Sequence, residues 1–174
     1  MDNVILENPM RRIRVSKVVV NSSVGEGGVK LEKAVKILQM LTGQKPSIRK
    51  AKKTIRGFGI RRGEPIAALV TLRGKRGEEF LQKALAAVGN KLSSENFDDY
   101  GNFAFGIKEH LEFPGTRYDP ELGIIGMDVI VHLSRPGVRV AVRRLKRSQI
   151  SRRHRLTREE GIEFVKKAFQ TVID

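Results

Sequence analysis

Residues 13–20, Ile-Arg-Val-Ser-Lys-Val-Val-Val, concentrate β-branched side chains and run into Asn21-Ser22-Ser23, a pattern that predicts a strand. Between residues 30 and 41, Leu31, Ala34, Val35, Leu38 and Leu41 recur at helical spacing, and Gly43 supplies a stop. From Pro46 onward the sequence is mixed and basic. Residues 66–72, Ile-Ala-Ala-Leu-Val-Thr-Leu, predict a second strand closed by Arg73-Gly74. A second amphipathic helix is predicted over 78–92, with Phe80, Leu81, Ala84, Leu85, Val88 and Leu92 on one side. Residues 127–133 alternate: Met127, Val129, Val131 and Leu133 point one way, and Asp128, Ile130 and His132 the other. After Arg135-Pro136-Gly137 the alternation resumes as Val-Arg-Val-Ala-Val over 138–142, which predicts a hairpin. Thr157 and Glu160 have capping-box spacing ahead of Ile162, Val165, Ala168, Phe169 and Val172, predicting a C-terminal helix.

Strands separated irregularly by helices indicate the α+β class. The single apolar stripe on each helix implies a largely antiparallel sheet with helices packed on one face and the other face open, an arrangement that suits a binding platform. There is no internal repeat, low-complexity linker or evident boundary, so the chain reads as a single domain over residues 1–174. That length supports a real core, and a hydrophobic content of 40% sets it apart from disordered tails.

Alternation also sorts polar side chains. Val70 and Leu72 share one face of their strand, Thr71 and Arg73 the other; Val18 and Val20 share one face, with Lys17 and Asn21 opposite. Gln44 follows the first helix. Lys, Asn, Thr and Arg could therefore gather on the open face, where amides and hydroxyls meet sugars and base edges and cations meet phosphate. The plainer alternative is that Asn21 and Gln44 only cap turns.

Charge narrows the partner. The chain carries 34 Lys+Arg against 19 Asp+Glu, a formal net charge of +15. The excess is segregated: residues 45–64 hold eight bases and one acid, and residues 135–158 hold ten bases and no acid. Residues 95–128, by contrast, hold eight acids against Lys108 and Arg117, and are expected to face away from the main anion-binding surface or to meet a protein. A chain needing only solubility would intersperse the signs; polarisation points to a polyanion, most commonly nucleic acid. A membrane surface would require a basic amphipathic helix, whereas these stretches read as strands and loops. Thr54-Ile-Arg-Gly-Phe-Gly-Ile-Arg-Arg-Gly-Glu64 interleaves glycines with Phe58 and arginines, the composition of a loop that orders against RNA. A loop tip without a partner is the alternative.

Enzymatic chemistry finds little purchase. Val24-Gly25-Glu26-Gly27-Gly28 lies between a strand and a helix, but position 30 is Lys rather than the glycine of a dinucleotide fingerprint, and no Gly-Lys-Ser/Thr follows. His110, His132 and His154 are far apart, and with no cysteine in the chain His110-Leu-Glu112 cannot complete a deaminase motif. Asp98-Asp99 and Glu109 with Glu112 lack a nucleophile or base. No metal or other cofactor is expected. Absence of cysteine excludes disulfides, no apolar run reaches a membrane span, and Met1-Asp2-Asn3 does not open a signal peptide, so a cytoplasmic location is expected.

Several blocks resemble a known family. Asn8-Pro-Met-Arg-Arg-Ile-Arg-Val-Ser-Lys-Val-Val-Val-Asn21, Val24-Gly-Glu26 and Leu41-Thr-Gly-Gln-Lys-Pro46 are similar to the universal large-subunit ribosomal protein "L-five" family. So are Lys50-Ala-Lys-Lys-Thr-Ile-Arg56, Val70-Thr-Leu-Arg-Gly74, Gly101-Asn-Phe-Ala-Phe-Gly-Ile-Lys-Glu-His110 and Gly126-Met-Asp128. Phe105–His110, Tyr118-Asp-Pro-Glu-Leu-Gly-Ile124 and Arg135-Pro-Gly137 resemble the archaeal and eukaryotic branch, and the short N-terminus fits the archaeal type. The resemblance implies a structural protein of the central protuberance that holds 5S rRNA, touches large-subunit rRNA and neighbouring ribosomal proteins, and approaches the small-subunit head. It implies 5S contacts from Lys17, Asn21, Gln44, Lys45, Thr71 and Arg73. It further implies a loop reaching toward P-site tRNA through Lys52, Lys53, Thr54, Arg56, Phe58, Arg61 and Arg62. Additional rRNA contacts are expected from Arg139, Arg143, Arg144, Lys146, Arg147, Arg152 and Arg153. An RNA-processing enzyme or RNA chaperone using the same basic surface is the alternative.

Overall fold

The computed structural model describes residues 8–116 and 118–174, so the reading of Met1-Asp2-Asn3 and the position of Arg117 lie outside the described residues. Strand β1 (Arg14–Ser23) is followed by helix α1 (Val29–Thr42), strands β2 (Ser47–Lys50) and β3 (Pro65–Leu72), and helix α2 (Lys75–Ala87). Then come β4 (Lys91–Leu92), β5 (Phe103–Ile107), β6 (Met127–Ser134), the short α3 (Arg139–Val142), α4 (Arg158–Phe169) and β7 (Val172–Ile173). Five strands form one sheet in the order β2-β3-β1-β6-β5, every neighbouring pair antiparallel. β4 and β7 form a separate parallel pair. The α+β class is thus observed.

β1 lies at the centre of the sheet, between β3 and β6. Its pairing with β6 shifts register between Val15 and Lys17, and this irregularity lets Val15 and Val18 both reach the buried side although they are three positions apart. Val18, Val20, Val70, Leu72, Val129, Val131 and Leu133 form the buried face of the three middle strands. Against it lie Leu31, Ala34, Ile37 and Leu38 of α1 and Phe80, Leu81, Ala84 and Leu85 of α2. Phe97, Phe103 and Phe105 continue the core toward the β5 edge, with ring centroids 5.0 and 6.2 Å apart. α1 ends where expected, at Gly43, whose φ of 63° places its N–H on the Gln39 carbonyl.

Three predicted elements differ. Residues 138–142 are not the second arm of a hairpin: 139–142 form α3. β6 already has β1 on one side and β5 on the other, so no edge is left for a further strand to pair with. Gly137, at φ +91°, turns the chain off instead. The second helix runs over 75–87 rather than 78–92, because Gly89 and Asn90 are both left-handed (φ 69° and 55°) and end it. Leu92 and Val172 consequently belong to β4 and β7 instead of helices. The Thr157–Glu160 capping box that opens α4 is present in full.

Candidate nucleic-acid interface

In an antiparallel sheet, directly opposed residues point to the same face, so the register lays out the side away from the helices row by row. One row runs Ser47, Leu69, Asn21, Asp128, Gly106. The next runs Thr71, Val19, Ile130, Ala104. In a third, Lys17 stands opposite His132, and Arg73 follows β3 with the same parity as Thr71. All these positions are exposed or half-buried. The result is a surface on which Asn21, Asp128 and Thr71 stand among the aliphatic Leu69, Val19 and Ile130 at its middle, with Lys17, Arg73 and His132 at one end. Lys17, Asn21 and Thr71 therefore share one face, as the alternation predicted. Gln44 and Lys45 are exposed in the turn between α1 and β2.

The amide of Asn21 is held along the strand, with Nδ2 donating to Ser23 Oγ at 2.9 Å, which leaves its carbonyl oxygen to accept from a ligand. His132 is positioned by a hydrogen-bonded chain that the sequence did not reveal. Its Nδ1 lies 2.6 Å from Asn102 Oδ1, which also accepts from the Leu133 N–H at 3.1 Å. Asn102 Nδ2 donates to Asp98 Oδ2 at 2.7 Å, and Asp98 Oδ1 accepts the N–H groups of Tyr100 and Asn102. Because the Leu133 N–H demands an oxygen, the amide orientation is fixed and neutral His132 carries its proton on Nδ1. Burial lowers the pKa of His132 below 6.5, and Lys17 and Arg73 lower it further, against an opposing pull from Asp98.

The acidic stretch does not turn wholly away. Asp128 sits in the middle of the sheet face beside Asn21, and Asp98 braces His132 at its rim. The alternation in β6 had already set Asp128 and His132 opposite its apolar residues; what one strand cannot give is the register that brings them beside β1. His110 is buried, its pKa lowered by burial despite the neighbouring Glu109, and its Nδ1 faces the Ile125 N–H at 3.5 Å. His154 Nε2 donates to the Pro136 carbonyl at 2.8 Å. Those two histidines serve the fold.

The basic segments occupy loops. Lys52, Lys53, Thr54, Arg56, Phe58, Arg61 and Arg62 are all exposed between β2 and β3, Phe58 at 76%. This loop has internal lacing: Ile55 and Ile60 exchange backbone hydrogen bonds, Thr54 Oγ1 accepts from the Arg62 N–H and Glu64 Oε2 from the Arg61 N–H. Arg139, Arg143, Arg144, Lys146, Arg147, Arg152 and Arg153 are exposed after β6. Arg135 is the exception in that run: it is buried and pairs with Glu160 at 2.6 Å. Among the described residues there is no acid–histidine cluster able to hold a metal, and no helix is long and apolar enough to cross a membrane.

A family model described as ribosomal protein L5 matches residues 8–61, and a second, which describes the C-terminus of that ribosomal family, matches residues 65–164. The chain belongs to the ribosomal protein L5 family. The two matched segments of the L5 chain meet within the sheet: β1 comes from the first, and its neighbours β3 and β6 come from the second. Large ribosomal subunit protein uL5 of Sulfurisphaera tokodaii is 57% identical over 95% of this chain and 94% of its own length. The uL5 of Pyrobaculum aerophilum is 53% identical over 96% of this chain and 93% of its own. That of Methanococcus vannielii is 48% identical over 94% and 92%. These relatives are archaeal, in agreement with the branch that the sequence resembles. A ribosomal protein of the large subunit, this L5 chain is a structural component and not an enzyme.

Proposed function

We propose that this L5-family protein holds 5S rRNA on the exposed face of its five-stranded sheet, within the central protuberance of the cytoplasmic ribosome. Residues 135–158 then meet large-subunit rRNA, and the 54–64 loop reaches toward P-site tRNA, with neighbouring ribosomal proteins and the small-subunit head nearby. The chain acts as one RNA-binding unit and requires no cofactor. The observation that carries this reading is the convergence of Lys17, Asn21 and Thr71 on one face, with Arg73 at its end and Gln44 and Lys45 in the turn before β2. Amide and hydroxyl groups there suit sugars and base edges, and the basic side chains suit phosphate.

A gel-shift titration with 5S rRNA against an unrelated RNA of equal length tests it. Asn21→Ala, Gln44→Ala and Thr71→Ala should each weaken 5S binding by roughly 1–3 kcal/mol, the scale of a lost partner in a buried hydrogen bond. Lys166→Ala, on the exposed side of α4, should have little effect. Wild-type affinity in all three of the first variants would move the 5S site elsewhere, first to residues 135–158.

A further inference from the structure

Two of the most exposed large apolar side chains among the described residues are Val142 at 77% and Leu145 at 78%, and both lie in the run that contains no acid. Isolated exposed aliphatics are ordinary. These two are different because the backbone is braced to present them. At the base of the segment, His154 Nε2 donates to the Pro136 carbonyl at 2.8 Å, and the Met10 methyl lies where a Cβ on Gly137 would stand 3.2 Å from it. The first turn closes through Ala141 N–H to Val138 O at 3.0 Å and Arg143 N–H to Arg139 O at 2.9 Å. The return is closed by Ser148 N–H to Val140 O at 3.2 Å and by Arg143 Nε to the Lys146 carbonyl at 2.7 Å. Lys146 takes a left-handed φ of 51°, which reverses the chain just after Leu145. Arg143 thus braces the loop through its Nε. Arg139, Arg144, Lys146 and Arg147 flank the two in sequence and are exposed.

We infer that Val142 and Leu145 form an apolar tip that packs against unpaired bases and riboses of large-subunit rRNA, while Arg139, Arg144 and Arg147 hold the flanking phosphates. This rests on the reading that residues 135–158 meet large-subunit rRNA, and adds how they do so. The charge selects the occupant: ten bases with no acid over 135–158 fit a polyanion. The apolar tip selects its form, because regular duplex offers an aliphatic side chain little, whereas splayed bases and ribose faces offer it a surface. A preformed loop spares the complex the ordering cost that a flexible one would incur.

The test compares two variants of the full chain, Val142→Ser/Leu145→Ser and Arg139→Ala/Arg144→Ala, on deproteinised large-subunit rRNA and on 5S rRNA, across a salt titration. Both sites are exposed, so thermal unfolding should be unchanged. The serine variant should bind large-subunit rRNA about tenfold more weakly at every salt concentration, with the slope of log K against log[salt] unaltered, since no ion pair is lost. The alanine variant should instead make that slope shallower by about 1.4–1.8. Neither should change 5S binding. If the serine variant binds like wild type while the alanine variant is weakened, the apolar inference is wrong and the basic segment keeps its assignment. If neither variant alters binding to large-subunit rRNA, the assignment of the segment fails and takes the inference with it. A loss by the serine variant on 5S rRNA alone would overturn the choice of RNA.

Discussion

His132 links the sheet face to solution conditions. Its pKa is lowered, so the folded protein takes up a proton there less readily than the unfolded chain does. Over the range below the ordinary value of 6.5 the unfolded state therefore binds more protons, and stability rises with pH. This contribution is fully present above that value and is lost as pH falls through the folded-state pKa. Buried His110 adds a contribution of the same sign. Urea denaturation followed from about pH 8 to about pH 5 should show falling stability below about pH 6.5. His132→Gln should flatten part of that fall while keeping the Asn102 contact through its own amide. An acid limb as steep in the variant as in the wild type would assign the proton-linked loss to other groups. The face on which His132 lies was legible from alternation alone. Its hydrogen-bonded chain to Asp98 was not, because its link to Asn102 joins residues 30 positions apart through a turn and a register that only the folded sheet defines.

Among the elements, α4 shows where sequence rules stop being sufficient. The capping box identifies its start, yet what docks it is a pair of glycines. A Cβ on Gly161 would lie 2.6 Å from Gly101 Cα, and one on Gly101 would lie 2.9 Å from the Thr157 carbonyl. Gly101 also has φ +73°, so the 98–102 turn needs glycine for its conformation as well as for its closeness to α4. Two effects of Gly161→Ala then compete. Alanine is favoured over glycine in a helix interior by about 1 kcal/mol. Backbone atoms at 2.6 Å cannot yield as a flexible side chain would, and overpacking of this kind costs about 1–3 kcal/mol or more. The clash should win, and Gly161→Ala should lower the thermal midpoint by several degrees. A midpoint raised by the substitution would show that the helix can slide away from the turn at little cost. β1, α1, β3 and β6 were legible because each carries a long, one-sided apolar pattern. β2 is only four residues and wholly exposed, so its basic sequence carries no such signal. β5 has the pattern, with Phe103, Phe105 and Ile107 buried, but is only five residues long. The misread alternation at 138–142 shows the complementary limit, since local periodicity does not record whether β6 has an edge to offer.

Across the whole molecule the charge is distributed unevenly between the two proposed RNA surfaces, and this fixes how each should respond to salt. On the sheet side the available cations are Arg14, Lys17, Arg73, Lys45 and Arg49, Arg14 opposite Ser134 and Arg49 on the same side of β2 as Ser47, and Asp128 shares that face. In the 135–158 run, ten bases less the buried Arg135 leave nine, with no acid between them. Each phosphate neutralised contributes about −0.7 to −0.9 to the slope of log K against log[salt]. Binding to 5S rRNA through about five cations should then give a slope on the order of −4, toward the shallow end of the −3 to −7 expected for roughly 4–8 contacts. Binding to large-subunit rRNA should be steeper, because more bases are available and none is offset. Measuring both slopes with one preparation checks the assignment without any variant. Equal slopes on the two RNAs would mean that both use the same basic surface, and a slope near zero on either would remove phosphate contact from that complex. The hydrogen-bonding groups of the sheet face, Asn21 and Thr71 among them, should by contrast carry the preference for 5S rRNA over an unrelated RNA, so discrimination should survive at salt concentrations where non-specific binding has disappeared.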